Sequence, residues 1–260
     1  MNQSAEEPGK RVSVFGVGYV GCVTAACLAR DGHRVIGVDV DEDKVDQINS
    51  GVSPVSEPGL EELLAEQVRE KRLDATTDGA QAVRETEIAL VAVGTPSSAD
   101  GSVSLSALEN VTRLIGTTLK DCDHPFTIVI RSTLLPGILE DHLIPILCET
   151  SGRQLGPELR VCNNPEFLRE STAIADYDDP PYVVFGVPDD WDAEPVQALY
   201  EKIDTRCFVV NSRSAAMIKY TCNAFHALKV AFANEVGSLA RQFGANGAEV
   251  MSLVCEDDKL

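Results

Sequence analysis

Lys219, Asn223, His226 and Asn234 place an ammonium, two amides and an imidazole along a segment, Ala215 to Ala240, that otherwise reads as a buried apolar helix. At about 100° per residue these four positions, with Val230, fall within one narrow sector. A core-facing stripe rarely carries such groups, because each desolvated polar group costs about 1–3 kcal/mol unless something pairs with it. A polar ligand is the simplest partner. The solvated stripe of an ordinary packing helix is the other reading, and the segment by itself leaves both open.

A ligand of that kind needs a scaffold. Short apolar runs alternate with helical stretches from Arg11 onward, the pattern of a parallel sheet covered on both faces. The strand candidates are Arg11 to Phe15, Arg34 to Val38, Glu87 to Val93, Phe126 to Ile130, Leu159 to Cys162, Tyr182 to Gly186 and Arg206 to Val210. From Ser212 the apolar periodicity runs to about Phe243, longer than the usual globular helix, and reads as a connector. Gly244-Ala245-Asn246-Gly247 stops it, and a short helix from Ala248 follows.

Gly16-Val17-Gly18-Tyr19-Val20-Gly21 follows the first strand directly and opens a helix, the context a dinucleotide-binding turn requires. Gly16 permits the tight turn, Gly18 lets the backbone approach a pyrophosphate, and Gly21 allows the helix to pack closely on the strand. The helix N-terminus offers unpaired amides and partial positive charge to the phosphates. Alone, the turn is equally compatible with a chance glycine turn, a flavin or a methyl donor. Asp39, at the end of the second strand, adds a carboxylate that would accept from both ribose hydroxyls and repel a 2′-phosphate, which favours NAD over NADP. Asp39 could also cap the helix that starts near Asp41, and Lys44 sits either near the ribose or on a helix surface. Thr95, after the third strand candidate, and Thr133, after the fourth, lie at the strand ends where ligands bind in doubly wound sheets. Either hydroxyl could equally cap a turn.

The 260 residues carry a net charge of -19 with 44% hydrophobic content, a globular composition that argues against binding nucleic acid or an anionic membrane, since both need clustered Lys and Arg. No apolar run approaches the ~18 residues of a membrane span. Residues 1–10 are polar and acidic, unlike a signal peptide, and read as a disordered leader on a cytoplasmic protein. Eight cysteines are scattered without C-x-x-C or paired His spacing, so a metal site is not expected. Most sit in apolar contexts, Cys22, Cys27 and Cys255 among them, and read as small packing residues.

Taken together, the sequence resembles the nucleotide-sugar 6-dehydrogenases, the UDP-glucose and GDP-mannose dehydrogenase family. The resemblance rests on the glycine turn, Ser56-Glu57-Pro58-Gly59-Leu60, Val93-Gly94-Thr95-Pro96, Arg131-Ser132-Thr133-Leu134-Leu135-Pro136-Gly137, Asn164-Pro165-Glu166-Phe167-Leu168-Arg169-Glu170 and Met217-Ile218-Lys219-Tyr220. Ser171, Tyr177-Asp178-Asp179-Pro180-Pro181 and His226 point to the GDP-mannose branch, whereas UDP-glucose enzymes usually carry Gly where Ser171 stands and an apolar residue where His226 stands. The resemblance implies an α/β, doubly wound, Rossmann-like NAD domain over 11–211, followed by the start of a central helical dimerisation domain over 212–260.

It further implies oxidation of GDP-mannose to GDP-mannuronate by two hydride transfers to NAD, through a thiohemiacetal and a thioester. In that reaction Lys219 and Asn223 would stabilise an alkoxide, and Thr133 and Glu166 would position or activate water, Glu166 also touching the sugar. His226 and Asn234 would bind the GDP-mannose moiety. Tyr19, Val20, Asp39, Lys44, Thr95, Thr133 and Glu170 would contact NAD; a surface charge pair of Glu166 or Glu170 with Arg169 is the plainer alternative. The family's nucleophilic Cys lies in a Gly-Gly-Ser-Cys-Leu-Pro-Lys-Asp type motif that this sequence lacks. Cys222, beside Asn223, would point about 100° away from the polar stripe. The expectation is therefore a truncated chain, inactive or impaired alone, from an intact homodimer, with an exposed apolar face near Phe225, Leu228 and Phe232. A UDP-glucose or UDP-amino-sugar dehydrogenase, and a non-catalytic NAD-binding or dimerising module, are the competing readings.

Overall fold

The computed structural model describes residues 9–97, 100–188 and 193–257, so the leader expected over 1–10 lies almost wholly outside the described residues. The strands are β1 (Arg11–Phe15), β2 (Arg34–Val38), β3 (Leu73–Thr76), β4 (Ile88–Val91), β5 (Phe126–Ile130), β6 (Leu159–Asn163), β7 (Val183–Val187) and β8 (Cys207–Asn211). The helices are α1 (Tyr19–Arg30), α2 (Glu42–Asn49), α3 (Leu60–Arg69), α4 (Gly79–Glu85), α5 (Ser106–Leu119), α6 (Ile144–Ser151), α7 (Ala173–Asp178), α8 (Glu194–Gln197), α9 (Ser212–Gln242) and α10 (Gly247–Val254). Packing divides the chain into two compact units, 1–217 and 218–260.

The first unit is one eight-stranded sheet in the order β3-β2-β1-β4-β5-β6-β7-β8. Its strands alternate between two buried faces. Val12, Val14, Val35, Ile88, Leu90 and Val129 join one apolar cluster with α1, while Phe15, Ile36, Val91, Ile128 and Ile130 join another with α5 and α6. Side chains alternate with period two, so a sheet covered on both sides reads as continuous apolar runs rather than as a polar–apolar alternation. That is why β1, β2 and β5 are legible with their observed ends.

β3 was not expected from the sequence. Its residues read LDAT, only Leu73 is buried, and it pairs with β2 alone at the sheet edge, so it carries no apolar run to announce it.

Strands β1 to β6 are parallel, as expected. Among the described strands the one departure from parallel pairing is β7, which pairs antiparallel to β6 through Asn163 and Gly186 and then parallel to β8. The connection from Asn164 to Tyr182 carries the six-residue α7 and the Pro180-Pro181 pair and returns the chain to the sheet in the opposite sense.

In the second unit α9 continues to Gln242 and α10 folds back on it. A Cβ on Gly247 would lie 2.8 Å from the Gly237 Cα, so two glycines permit that close approach. Asn246 caps α10 by accepting from the Ala248 amide at 3.1 Å. α10 reaches only the distal part of α9, and nothing else among the described residues of this unit covers residues 221–232. The exposed apolar face expected near Phe225, Leu228 and Phe232 is present, the three being 58%, 63% and 57% exposed, so the reading of Ala215 to Ala240 as a buried apolar helix does not hold over this stretch. Among the described residues no helix is long and apolar enough to cross a membrane.

Candidate functional site

The strand order reverses its sense between β1 and β4, and the carboxyl ends of these strands open the crevice where such sheets bind ligands. Gly16 turns there with φ +87°, a conformation that L side chains avoid, and its amide donates to the Val38 carbonyl at 2.7 Å. Gly18 is the N-cap of α1 and has no side chain to satisfy the helix amides, while the position its Cβ would take is open space. The opposite holds at Gly21, where a methyl would be driven into the Gly16 carbonyl oxygen. An open, uncapped helix N-terminus beside a tight turn fits the pyrophosphate of a dinucleotide.

Asp39 faces this turn. Its carboxylate accepts from the Val17 amide at 3.0 Å and the Asp41 amide at 3.1 Å, and the Lys44 ammonium lies 3.7 Å away. The cap of α2 is Asp41, which accepts from the Asp43 amide, so Asp39 is not that cap. Two of the residues expected at the ribose, Asp39 and Lys44, are thus brought together at the end of β2. Asp39→Ala is expected to raise the Kd for NAD about 10–100-fold, the worth of hydrogen bonds to a charged group, and to narrow the preference over NADP. Equilibrium titration with both cofactors checks this, and an unchanged preference would remove Asp39 from the ribose.

At the ends of β4 and β5 the Ser132 hydroxyl donates to the Val93 carbonyl at 2.6 Å, and the Thr95 hydroxyl reaches the Thr133 carbonyl at 3.4 Å. The two threonines therefore meet on the same edge. Beyond β6, Glu166 accepts from the Leu168 amide at 2.7 Å and borders a cavity of about 240 Å³ lined by Arg131, Asn164, Tyr182 and Tyr200. Arg131, 6% exposed, donates to Asn164 Oδ1 at 2.8 Å and to the Tyr200 hydroxyl at 2.7 Å. Tyr200 donates in turn to Asn164 Oδ1 at 2.5 Å, and the Asn164 amide donates to the Val184 carbonyl at 2.9 Å. Burial pushes the Tyr200 hydroxyl up from its ordinary range. This buried network ties β5, β6 and β7 together behind Thr133 and Glu166. Sequence reasoning missed its role; Arg131 and Asn164 stood in quoted motifs, but nothing local marked Tyr200.

A second network was also missed. Glu57, 8% exposed, accepts from the Ser171 amide and the Ala173 amide, each at 2.8 Å, and from the Tyr19 hydroxyl. The Ser171 amide also points at the Tyr19 oxygen at 3.1 Å. Burial, then the hydrogen bond to Glu57, pushes the Tyr19 phenol up to about 12. Ser171 holds φ +71° in this turn, the conformation for which glycine is the easier residue. Glu170 precedes it and is exposed. The Arg169 guanidinium pairs with Asp176 at 2.5 Å.

On α9, Lys219 is 7% exposed and so removed from solvent. Asn223, His226 and Asn234 are exposed, and Asn234 borders the α9–α10 crevice. All eight cysteines are free. Cys22, Cys27 and Cys162 are buried, and burial holds each thiol up at about 12. Cys255 is exposed, a correction to its reading as a packing residue; α10 buries none of its own residues, and Cys255 follows it directly. Among the described residues no group of three or more His, Cys, Asp or Glu could hold a metal ion.

Turn, open helix end and carboxylate define a dinucleotide-binding α/β domain with the acidic ribose end that suits NAD. Residues 10–204 match the UDP-glucose/GDP-mannose dehydrogenase family, NAD binding domain, and residues 213–260 match the central domain of the same family. The chain belongs to the UDP-glucose/GDP-mannose dehydrogenase family, and its first domain is an NAD-binding domain. It is 50% identical over 250 residues to a GDP-mannose 6-dehydrogenase of Pseudomonas putida, covering 96% of this chain and 57% of that one. Among solved structures, a ternary complex of GDP-mannose dehydrogenase from Pseudomonas aeruginosa is 46% identical with a TM-score of 0.93, over 96% of this chain and 57% of that one. A UDP-glucose dehydrogenase from Pyrobaculum islandicum is 36% identical with a TM-score of 0.92, over 98% of this chain and 59% of that one. The chain thus spans somewhat over half the length of the relatives it matches.

Proposed function

We propose that the protein serves the NAD-dependent oxidation of GDP-mannose to GDP-mannuronate by two hydride transfers. The observation that carries the reading is the joint one: a crevice built for NAD in a chain half identical, over nearly all its length, to a protein named for GDP-mannose. NAD, when bound, accepts the hydrides. Gly16, Gly18 and Gly21, with the amides of Tyr19 and Val20, hold the pyrophosphate; Asp39 and Lys44 hold the adenine ribose; Thr95, Thr133 and Glu170 line the cofactor's path. Lys219 and Asn223 stabilise the alkoxide that develops at the sugar, and Thr133 and Glu166 orient water for the later hydrolysis. Glu166, Lys219, Asn223, His226 and Asn234 bind the nucleotide sugar. The exposed apolar residues of α9 support pairing of two copies in the intact protein. Eight free cysteines suit the reducing cytoplasm.

The likeness to a UDP-glucose dehydrogenase of known structure supports a second reading in which the substrate carries uracil. Competition between GDP-mannose and UDP-glucose separates the two, in a protein carried out to the length of its relatives. GDP-mannose is expected to bind at least about tenfold more tightly, a difference of ~1.4 kcal/mol. Tighter UDP-glucose binding would reverse the assignment. NAD binding with no sugar-dependent NADH would favour the non-catalytic module. The 260-residue chain alone is expected to bind NAD without turnover, because Cys22, Cys27 and Cys162 are held as neutral thiols and none of the remaining five lies in the family's nucleophile motif.

A further inference from the structure

We propose that Glu57 is a positioning residue that sets the nicotinamide side of the cofactor crevice by clamping the 169–173 turn to the first residue of α1. The inference rests on the NAD reading above. Glu57 sits in the loop before α3, far in sequence from both walls it joins, and its two carboxylate oxygens are divided between them. Oε1 takes the Ala173 amide, and Oε2 takes the Ser171 amide together with the Tyr19 hydroxyl. The amides of residues 171 and 173 converge because Ser171 holds a left-handed conformation, which turns the backbone into a concave anion-binding nest. An unfilled nest of this kind attracts phosphate or carboxylate. Glu57 fills it with a carboxylate belonging to the chain, leaving the glycine turn as the place for the pyrophosphate.

The sheet order assigns this clamp to one half of the cofactor. Asp39 follows β2, on one side of β1 in the strand order, whereas the chain that carries the 169–173 turn leaves the sheet from β6, on the other side of β1, and is bonded back to the start of α1. A dinucleotide lying across the carboxyl edge with its adenine ribose at Asp39 extends its second half toward β4, β5 and β6. Tyr19 joins the two halves, since its backbone opens α1 behind the glycine turn and its side chain ends on Glu57. The Tyr19 phenol stays protonated and donates because burial and Glu57 both disfavour the phenolate. Gln cannot replace Glu57: an amide has one acceptor oxygen, so one of the two backbone N–H groups would face another donor.

The test titrates the 260-residue chain and its Glu57→Gln and Tyr19→Phe variants with NADH and, separately, with ADP, and records a thermal melt of each. Glu57→Gln is expected to raise the NADH Kd about tenfold and Tyr19→Phe about threefold, with ADP affinity held within about twofold. NADH affinity unchanged in both variants overturns the assignment. So does equal weakening of NADH and ADP, which is what a merely structural carboxylate would give. Should Glu57→Gln lose its cooperative melt, Tyr19→Phe decides alone, and wild-type NADH affinity in it overturns the clamp. A wild-type chain that binds neither ligand overturns the cofactor reading itself, and the clamp with it.

Discussion

Gly21→Ala is expected to cost about 3 kcal/mol of stability and lower the Tm by roughly 6–12 °C for a domain of this size. One methyl group does this because of where it must go. The added Cβ would meet the Gly16 carbonyl oxygen and lie 3.0 Å from its carbon, and both belong to the backbone. A flexible side chain could swing aside, but Gly16 is fixed at φ +87° by its turn and by the bond from its amide to Val38. Relief therefore requires α1 to move off β1. Because α1 places the amides proposed to hold the pyrophosphate, NAD affinity should fall with stability, whereas Asp39→Ala should weaken NAD with a far smaller change in Tm. Differential scanning calorimetry and NADH titration of the same sample check the pair of effects. A variant that melts with the wild type would show that the Gly16 carbonyl yields freely.

Lys219→Ala is expected to lower kcat by about 10²–10³-fold in a protein extended to the length of its relatives, the usual cost of losing one preorganised donor to a developing oxyanion. Lys219 is 7% exposed, and a charge held away from water acts on a nearby alkoxide with little dielectric screening. NAD affinity should stay within about twofold, since the proposed cofactor contacts lie elsewhere, and this serves as the control for folding. Single-turnover formation of NADH from GDP-mannose reports the hydride step directly. Turnover equal to wild type would remove Lys219 from the chemistry and leave it a buried structural cation.

The cofactor side was legible residue by residue because its signals are local. Gly16, Gly18 and Gly21 lie close together in sequence; the coordinates show a backbone reason for glycine at Gly16 and Gly21, whereas at Gly18 a Cβ would meet only open space. Asp39 follows an apolar run whose end the sequence marks, and its alternative reading as a helix cap ends with the observation that Asp41 takes that cap. The polar stripe of α9 was legible as a pattern, but burial separates its members: Lys219 is enclosed and Asn223, His226 and Asn234 are exposed. Periodicity reports which residues share a face, not what covers that face. The apolar residues at 225, 228 and 232 form the exposed face expected of them.

What the sequence by itself determined, then, was the set of elements whose cause lies within a few residues: the buried strands, the glycine turn, the acidic end of β2 and the long helix. Tertiary structure decided the rest. The reversal of β7 has no local signal, since its connection from β6 is as long as those that join the parallel neighbours β1 and β2 or β7 and β8. The edge strand β3 exists because β2 offers it a ladder of unpaired backbone groups. The Arg131–Asn164–Tyr200 network and the Glu57 clasp join residues 33 to 116 positions apart. Pairings over such distances leave no mark in composition or spacing, because the free energy of a buried hydrogen bond depends on which groups the fold brings together after the chain has collapsed.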